Sequence, residues 1–254
     1  LAGSDQDNNF SNNGTITNLN IIMTGLRASG DRSIIDSGSG IRDLTINDTT
    51  NSGNNVHKLG NNLSISGNLT ITSGTLSTVT PAGSSVNLTV TGQLTASGGS
   101  LLLNNSTVSF GAVMAIGNAG TVTCADTNLT THSFSLGQGP FTAPSASGSF
   151  IITNETSNLA FDYDGNQFIH NGGTIDIRTQ ATTLVDFGSN NGTAHIGNVK
   201  INHASCVAKL QNAGSLLGNL EIALGTLDTD GNALTVAGEL SNAGTFTGNS
   251  SAVI

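Results

Sequence analysis

The stretch LTVAGELSNAGT, residues 234–245, decides the fold, because two near copies of it occur earlier in the chain. The copies are LSISGNLTITSGT from Leu63 and LTVTGQLTASGG from Leu88. Aligned, the three follow the pattern L-[ST]-[IV]-x-G-x-L, in which apolar residues alternate with polar ones. Alternation with a period of two is typical of a β-strand with one buried face. The central glycine marks the place where such a strand would have to bend.

Glycine followed by threonine or serine recurs along the whole sequence at similar intervals. Examples are the step from Gly74 to Gly99 and the step from Gly225 to Gly244. Periods near 20 favour a solenoid, because a propeller blade needs about 40 residues and a leucine-rich repeat has a denser leucine pattern. We therefore predict an all-β fold, a single parallel β-solenoid (β-helix) of about a dozen coils of roughly 19–25 residues, continuous over residues 1–254.

Stacking of coils accounts for the repetition. A coil of about 20 residues cannot bury its own apolar face, so its strands pair with the coils above and below and share one narrow core. Repetition then places leucine on leucine and lines up polar side chains in ladders. The N-terminal third repeats ITNLNI (16–21) as IRDLTI (41–46), again one coil length later. These hexapeptides resemble the rungs of pectate-lyase-like right-handed β-helices.

The composition argues against several classes of partner. Charged residues are 9% of the chain, and the net charge is −9 with only seven lysines and arginines, which are scattered. Without a basic stripe we expect no nucleic-acid partner. No apolar run approaches the roughly 18 residues of a membrane span. The regular alternation of apolar residues argues against disorder.

Residues 132–167 break the repeat. This segment contains two of the three prolines and several phenylalanines. We predict irregular coils or a lateral loop insertion here.

The two cysteines, Cys124 and Cys206, lie far apart in the sequence. Their separation corresponds to about four coils, or roughly 20 Å along the axis at about 4.8 Å per coil. A disulfide requires much closer Cα atoms. We expect no bond between them.

The motif D-x-D-G-N occurs twice and is the one candidate for a metal site. Two carboxylates and an amide oxygen at alternate positions suit calcium, which takes six to eight oxygen ligands. Asp-Gly is also a strong turn signal, and neither copy has the downstream glutamate of an EF-hand, so a tight turn is the favoured interpretation. No other cofactor is indicated. The candidate calcium ligands are Asp162, Asp164, Asn166, Asp228, Asp230 and Asn232.

The N-terminal region concentrates opposite charges. Carbohydrate-active enzymes can use paired carboxylates, or metal-bound aspartates with an arginine. No second set of clustered carboxylates is visible in the sequence, so surface pairing or a capping network is the favoured interpretation. The residues concerned are Arg27, Arg32 and Arg42 among Asp31, Asp36 and Asp43, with Arg178 added from further along the chain.

The stretch GTLDTDGNALTVAGELSNAGTFTGNSS (225–251) resembles the β-strand-repeat proteins of bacterial surfaces. These include filamentous-haemagglutinin-like and autotransporter-passenger β-solenoids and very long repeat proteins of environmental bacteria. The resemblance is clearest over 61–123 and 214–251. It implies an extended surface protein, a stalk, adhesin or coat without a catalytic site.

Three functions follow as hypotheses. The leading one is a secreted, non-enzymatic structural protein at the cell surface, which builds a filament, sheath or stalk when solenoids stack end to end. The stacking partner would be another copy of the chain or the continuation of a longer chain. The first alternative is an adhesin segment that binds a glycan or another surface ligand on a lateral face. The second is a β-helix carbohydrate-active enzyme, which a groove of acidic and basic residues on neighbouring coils would favour.

Overall fold

The computed structural model describes residues 10–12, 17–24, 32–36, 40–49, 56–154, 159–163, 167–188 and 195–248, without the side chains of 10–12 and 32–36. Every regular element within these ranges is a β-strand, and the strands pair in parallel. The predicted all-β parallel solenoid is confirmed.

The strands form three faces around one core. The first face consists of an eight-stranded sheet and the two-stranded sheet β22–β24. Its strands are β1 (Phe10–Asn12), β3 (Arg32–Asp36), β5 (Val56–Leu59), β8 (Thr75–Ser77), β11 (Ser100–Leu103), β13 (Thr121–Cys124), β15 (Phe141–Thr142), β18 (Phe168–Ile169), β22 (Gly214–Leu216) and β24 (Leu234–Val236).

A sixteen-stranded sheet supplies the second and third faces. The second face contains β6 (Leu63–Ile65), β9 (Leu88–Val90), β16 (Ser149–Ile152), β19 (Thr174–Ile177) and β25 (Leu240–Asn242). The third contains β7 (Leu69–Ser73), β10 (Leu94–Ala96), β17 (Leu159–Tyr163), β20 (Thr182–Val185) and β26 (Thr245–Thr247). Strands that continue through the corner between these two faces are β2 (Leu19–Met23), β4 (Ile41–Asn47), β12 (Thr107–Ile116), β14 (Asn128–Leu136), β21 (Asn198–Leu210) and β23 (Leu220–Asp228).

Each coil runs from the first face through the second to the third. From Val56 onward the chain makes about nine turns, and β1 to β4 extend the same sheets before them, so the predicted dozen is only approximate. Successive coils differ in length. Thr226 pairs in register with Thr245, whereas Phe134 pairs with the more distant Phe161, so the second of these coils is clearly longer. Loops at the corners absorb this variation, while the strands stay in register.

Like residues stack on like residues inside the solenoid. Leu44 pairs with Leu69, and Leu69 pairs with Leu94, all three of them fully buried. Because each strand buries alternate residues, as in the buried, exposed, buried order of β6, two inward columns of mainly apolar side chains run up the second face. The shared core therefore needs no helix and few aromatic rings.

The three sequence copies do not occupy the same place around the solenoid. The copies from Leu63 and Leu88 start on the second face and lie one coil apart in register. The copy from Leu234 starts one face earlier, because Leu234–Val236 forms β24 on the first face. The repeated pattern therefore specifies a corner between two strands, and this corner serves between different pairs of faces.

Glycine is required at these corners because the backbones of successive coils approach closely. A Cβ atom on Gly92 would overlap the carbonyl oxygen of Gly67 and the side-chain oxygen of Asn68 in the coil below. Gly238 meets the same two groups, from Gly218 and Asn219. The residue type is thus fixed by close approach of the neighbouring coil.

Asparagine ladders satisfy backbone donors at the same corners. The Oδ1 atom of Asn68 accepts the backbone N–H of Gln93 at 3.0 Å, one coil above. The Oδ1 atom of Asn62 accepts the N–H of Asn87 at 2.9 Å, and Asn219 accepts that of Glu239 at 2.8 Å. A corner breaks the backbone pairing between coils, so the side chain supplies the acceptor that the strand no longer provides.

The described part of residues 132–167 lies within the stack and not beside it. It contributes the end of β14 and all of β15, β16 and β17 to the same sheets. Its phenylalanines point inward: the ring centroids of Phe134 and Phe161, which are register partners, lie 5.2 Å apart in a stacked arrangement. Phe141 lies 4.8 Å from Phe134. The segment breaks the sequence repeat because its coils are longer and their interior is aromatic.

Both cysteines are buried free thiols. Cys124 lies in β13 and Cys206 in β21, three coils apart instead of the four that we expected, because the coils between them are long. The Sγ atom of Cys206 lies 3.0 Å from the hydroxyl oxygen of Thr179. Burial raises the pKa of both thiols, so they remain protonated small core residues.

Removal of the central ring tests the aromatic core. We expect Phe134→Ala to lower the free energy of unfolding by about 3–5 kcal/mol, because the cavity left among the neighbouring rings cannot collapse fully. Ser109→Ala, on the outward side of the second face, should change it by less than about 0.5 kcal/mol. Urea denaturation followed by far-UV circular dichroism measures both. Equal effects of the two substitutions would contradict the packing described here.

The asparagine ladders predict a local effect on hydrogen exchange. In Asn68→Ala the amide of Gln93 loses its acceptor, which is worth about 1 kcal/mol, so its exchange should accelerate roughly fivefold to tenfold. The matched variant Asn62→Ala should accelerate the amide of Asn87 and leave that of Gln93 unchanged. Residue-resolved exchange by NMR distinguishes the two. Uniform acceleration of both amides in either variant would show that the ladders do not act corner by corner.

Candidate functional site

The second D-x-D-G-N motif forms a tight turn after β23. The backbone N–H of Asp230 donates to Oδ1 of Asp228 at 2.9 Å, and the N–H of Asn232 donates to the carbonyl oxygen of Thr229 at 2.8 Å. Asp230 and Gly231 both have positive φ, 51° and 85°. Asp and Gly are residues that tolerate this conformation, which explains their order in the motif.

A lysine lies against the carboxylates of this turn. The Nζ atom of Lys209, one coil below, is 3.0 Å from Oδ1 of Asp230 and 3.9 Å from Oδ2 of Asp228. The hydrogen bond to Asp230 raises the pKa of Lys209. The amide group of Asn232 turns away and donates to the carbonyl oxygen of Leu210. These contacts explain the motif as a tight turn that hydrogen-bonds to the coil below.

The first D-x-D-G-N motif is described only at its first two residues, Asp162 and Tyr163. Asp162 lies in β17, and its Oδ2 atom accepts a hydrogen bond from the hydroxyl of Ser135 at 3.2 Å. Asp164 and Asn166 lie outside the described residues, so a calcium site there stays a prediction. Within the ranges that the structure describes, no group of three or more His, Cys, Asp or Glu side chains is placed to hold a metal ion.

Two of the N-terminal charged residues, Arg42 and Asp43, have described side chains, and these lie at a corner of the solenoid. The Nε atom of Arg42 lies 2.8 Å from Oδ2 of Asp43, and Oδ1 of Asp43 accepts the backbone N–H of Asn68 at 2.9 Å. Asp43 thus begins the ladder that Asn68 continues. Arg178 lies far along the stack, after β19. The side chains of the remaining members of this group lie outside the described residues: Arg27, Asp31, Arg32 and Asp36.

A row of alternating charges runs along the outside of the second face. Asp176 in β19 pairs in register with Lys200 in β21, which pairs with Glu221 in β23. The Nζ atom of Lys200 lies 3.0 Å from Oε1 of Glu221. In the N-terminal coils the same row consists of Ser64, Thr89, Ser109 and Thr130. Since stacked strands place like positions side by side, adjacent charges in such a row must alternate in sign.

Asp176 has an asymmetric environment. Its Oδ2 atom accepts hydrogen bonds from Nη2 and Nε of Arg178, at 2.6 and 2.9 Å, and from the amide of Asn202 at 3.3 Å. The hydrogen bond with Asp176 raises the pKa of Arg178. The Oδ1 atom of Asp176 is buried and has no hydrogen-bond partner among the residues that the structure describes. A buried carboxylate oxygen without a donor is costly, which singles out this atom among the surface charges.

Two shallow depressions follow this row on the side of the first face. One lies beside Asp176, Lys200 and Glu221. The other lies one coil further along and shares Glu221 with the first. Together they make a groove parallel to the solenoid axis. We call it the lateral groove; its lining residues are Ala146, Gly148, Ser149, Gly172, Gly173, Thr174, Asp176, Lys200, Asn219, Leu220, Glu221, Glu239 and Ser241.

The charges of the lateral groove are functional candidates that sequence reasoning missed. A signal was present, because the intervals from Asp176 to Lys200 and from Lys200 to Glu221 are both coil lengths. Because coil length varies along the chain, no fixed period in the sequence brings these three residues together. Only the register of the strands shows that these intervals bring the three side chains into one row.

Comparisons with known proteins add no relative: no family model, no curated protein and no solved structure matches the chain. Among the residues that the structure describes, no helix has the length and apolar character needed to cross a membrane.

Acid should release the first rung of the Asp43 ladder. The backbone N–H of Asn68 and the side chain of Arg42 lower the pKa of Asp43. Its stabilisation is therefore present above the unfolded pKa of about 3.9 and is lost as the pH falls through the lower folded value. We expect the exchange protection of the Asn68 amide to decline over that acidic range.

Two comparisons control this acid titration. In Asp43→Asn the acceptor remains but no longer titrates, so protection of the Asn68 amide should not change with pH. The Gln93 amide lies one coil above and donates to the side chain of Asn68, which does not titrate. It therefore provides an internal control in the same spectra. Equal acid sensitivity of both amides would assign the effect to general unfolding.

Proposed function

We propose that the protein is a secreted, non-enzymatic structural component of a cell surface, in which β-solenoids stack end to end into a filament, sheath or stalk. We also propose that the protein is related to the filamentous-haemagglutinin-like and autotransporter-passenger solenoids of bacteria. The stacked parallel strands and the repeated corner motif support it. Such a stack is stiff, extended and independent of a bulky core.

One observation carries the proposal: the last described coil leaves its inward positions uncovered. Leu240 occupies the same inward column as Leu220, with which it pairs in register. Leu220 is fully buried, whereas Leu240 is 43% exposed. Val236 and Phe246, on the other two faces, are only partly buried. All three faces of this coil therefore present apolar side chains along the axis.

A further coil of the same kind would cover this surface. Each coil already forms the template for the next, since inward residues stack on inward residues and the strands pair in parallel. Unpaired strand edges readily add another strand. The added coil would come from a second copy of the protein or from the continuation of a longer chain. Contacts between unlike ends do not close and so generate filaments.

The described acidic side chains support a structural role because most of those with assigned contacts stabilise the stack. Asp43 holds the backbone of the next coil, and Asp230 accepts a hydrogen bond from Lys209. Glu221 pairs with Lys200 across two strands. A pair directly opposite in register contributes a few tenths of a kcal/mol to about 1 kcal/mol, and opposite charges also disfavour a slipped register.

Electron microscopy and sedimentation of the purified protein test the proposal. We expect filaments one solenoid wide, with an axial repeat close to one monomer length. Leu240→Lys places a charge in the apolar end surface and should raise the concentration needed for assembly about tenfold or more. Ser64→Lys, an equal change on an exposed outward position of β6, should leave assembly unchanged.

Two results would count against the proposal. Separate rods of the wild-type protein at all concentrations would reject assembly from copies of this chain. Filaments that form equally well from the Leu240→Lys variant would show that the β24–β26 end is not the contact surface.

A further inference from the structure

One corner of the solenoid repeats the same side-chain hydrogen bond from coil to coil. At the corner between the first and second faces, Oδ1 of Asn62 accepts the backbone N–H of Asn87 at 2.9 Å. Near the other end of the stack, Asn198 accepts the N–H of Asn219, and Asn219 accepts that of Glu239, at 2.9 and 2.8 Å. In each of these bonds, the side chain of one coil meets the backbone of the coil that follows. We call this set of positions the corner column.

Glu239 occupies the corner column in the last described coil. It follows Gly238 as Asn219 follows Gly218, and the backbone N–H of Gly238 donates to the carbonyl oxygen of Gly218 at 3.1 Å. The side chain of Glu239 is exposed, so it is free to turn toward an added coil. Glu239 is therefore the acceptor that an added coil would meet at this corner.

A carboxylate already plays this part elsewhere in the stack. At the corner between the second and third faces, Oδ1 of Asp43 accepts the backbone N–H of Asn68 at 2.9 Å. That hydrogen bond is the main reason why the pKa of Asp43 is lowered. A charged acceptor also binds an N–H group more strongly than an amide oxygen does. A carboxylate in the corner column is thus compatible with a coil stacked above it.

We propose that Glu239 aligns the next solenoid in the filament, by accepting a backbone N–H from the first coil of a second copy. This role rests on the end-to-end assembly proposed above. The occupant is the opposite end of the second copy, where β1 and β2 each pair on one side only within the described residues. Because the strands pair in parallel throughout the stack, that end continues the pairing of β24–β26 in the same direction.

Glu239 also disfavours contact between two like ends. Such a contact would bring two Glu239 carboxylates into one interface, and repulsion between like charges opposes it. It would also reverse the strand direction, whereas the coils of the stack pair in parallel. Contact between unlike ends brings one carboxylate to an edge of backbone donors and repeats from copy to copy, which generates a filament.

The neighbouring polar residues do not share this position. Glu221 lies one coil below, in the outward row of the second face, and its Oε1 atom is 3.0 Å from Nζ of Lys200. Ser241 continues that row in the last described coil. Glu221 therefore matches Glu239 in charge, and Ser241 matches it in coil, but neither lies in the corner column. Both residues serve as controls.

Sedimentation of the purified full chain over a range of concentrations tests the proposal, because it gives the critical concentration for assembly. We expect Glu239→Ala to raise that concentration about tenfold, since each contact between copies loses a hydrogen bond to a charged group. Glu239→Gln keeps a neutral acceptor oxygen and should raise it only about threefold. This partial rescue distinguishes loss of an acceptor from a general disturbance of the end coil.

The control variants separate the corner column from charge and from location. Glu221→Ala removes the same charge one coil below, and Ser241→Ala alters the same coil as Glu239. Each should leave the critical concentration within about twofold of the wild-type value. Far-UV circular dichroism of each variant below its assembly concentration verifies that the solenoid is folded.

Each contrary outcome identifies which proposal fails. A wild-type chain that remains as separate rods at every concentration would reject end-to-end assembly, and the role of Glu239 with it. Filaments of the wild type that form equally well from Glu239→Ala would reject the role of Glu239 alone. The same holds if Glu221→Ala has an equal effect, or if Glu239→Gln assembles no better than Glu239→Ala.

Discussion

Parallel backbone pairing between successive coils is the constraint on which the rest of the structure depends. A coil of roughly 20 residues encloses too little volume for a core of its own, so its peptide groups must find partners in the coils on either side. This requirement fixes the position of each strand relative to the next. Inward residues then stack in columns, and outward residues form rows. Packing and surface chemistry both follow from the same pairing.

The corners show how the constraint is met where strands end. At Gly92 and Gly238 the coils approach too closely for any Cβ atom, and the neighbouring asparagine supplies an acceptor to the coil above. Corner and ladder form one local unit, encoded by a glycine, a polar residue and a leucine. Because the unit is local, it can serve between any two faces. Coil length can therefore change without loss of register.

Periodicity in the sequence predicts the fold because the inward leucines and the corner glycines are each required in every coil. Periodicity does not predict on which face a given copy of the pattern lies. The copy from Leu234 lies one face earlier than the copies from Leu63 and Leu88. The reason is that the pattern specifies a corner and not a position around the axis. The aromatic coils around Phe134 were also missed. Stacked rings satisfy the same inward columns with different residues, so the repeat disappears from the sequence while the fold continues.

The same reasoning explains why this architecture separates its chemistry into ends and sides. Inward columns consist mainly of apolar side chains, with a few buried polar ones such as Thr131, and Leu240 continues such a column in the last described coil. An outward row has no such restriction except that neighbouring charges must alternate in sign. Substitutions in a row, such as those that place Asp176, Lys200 and Glu221 where earlier coils have serine or threonine, therefore leave the stack intact. A solenoid can thus change the chemistry of its sides within a few coils without altering its inward columns.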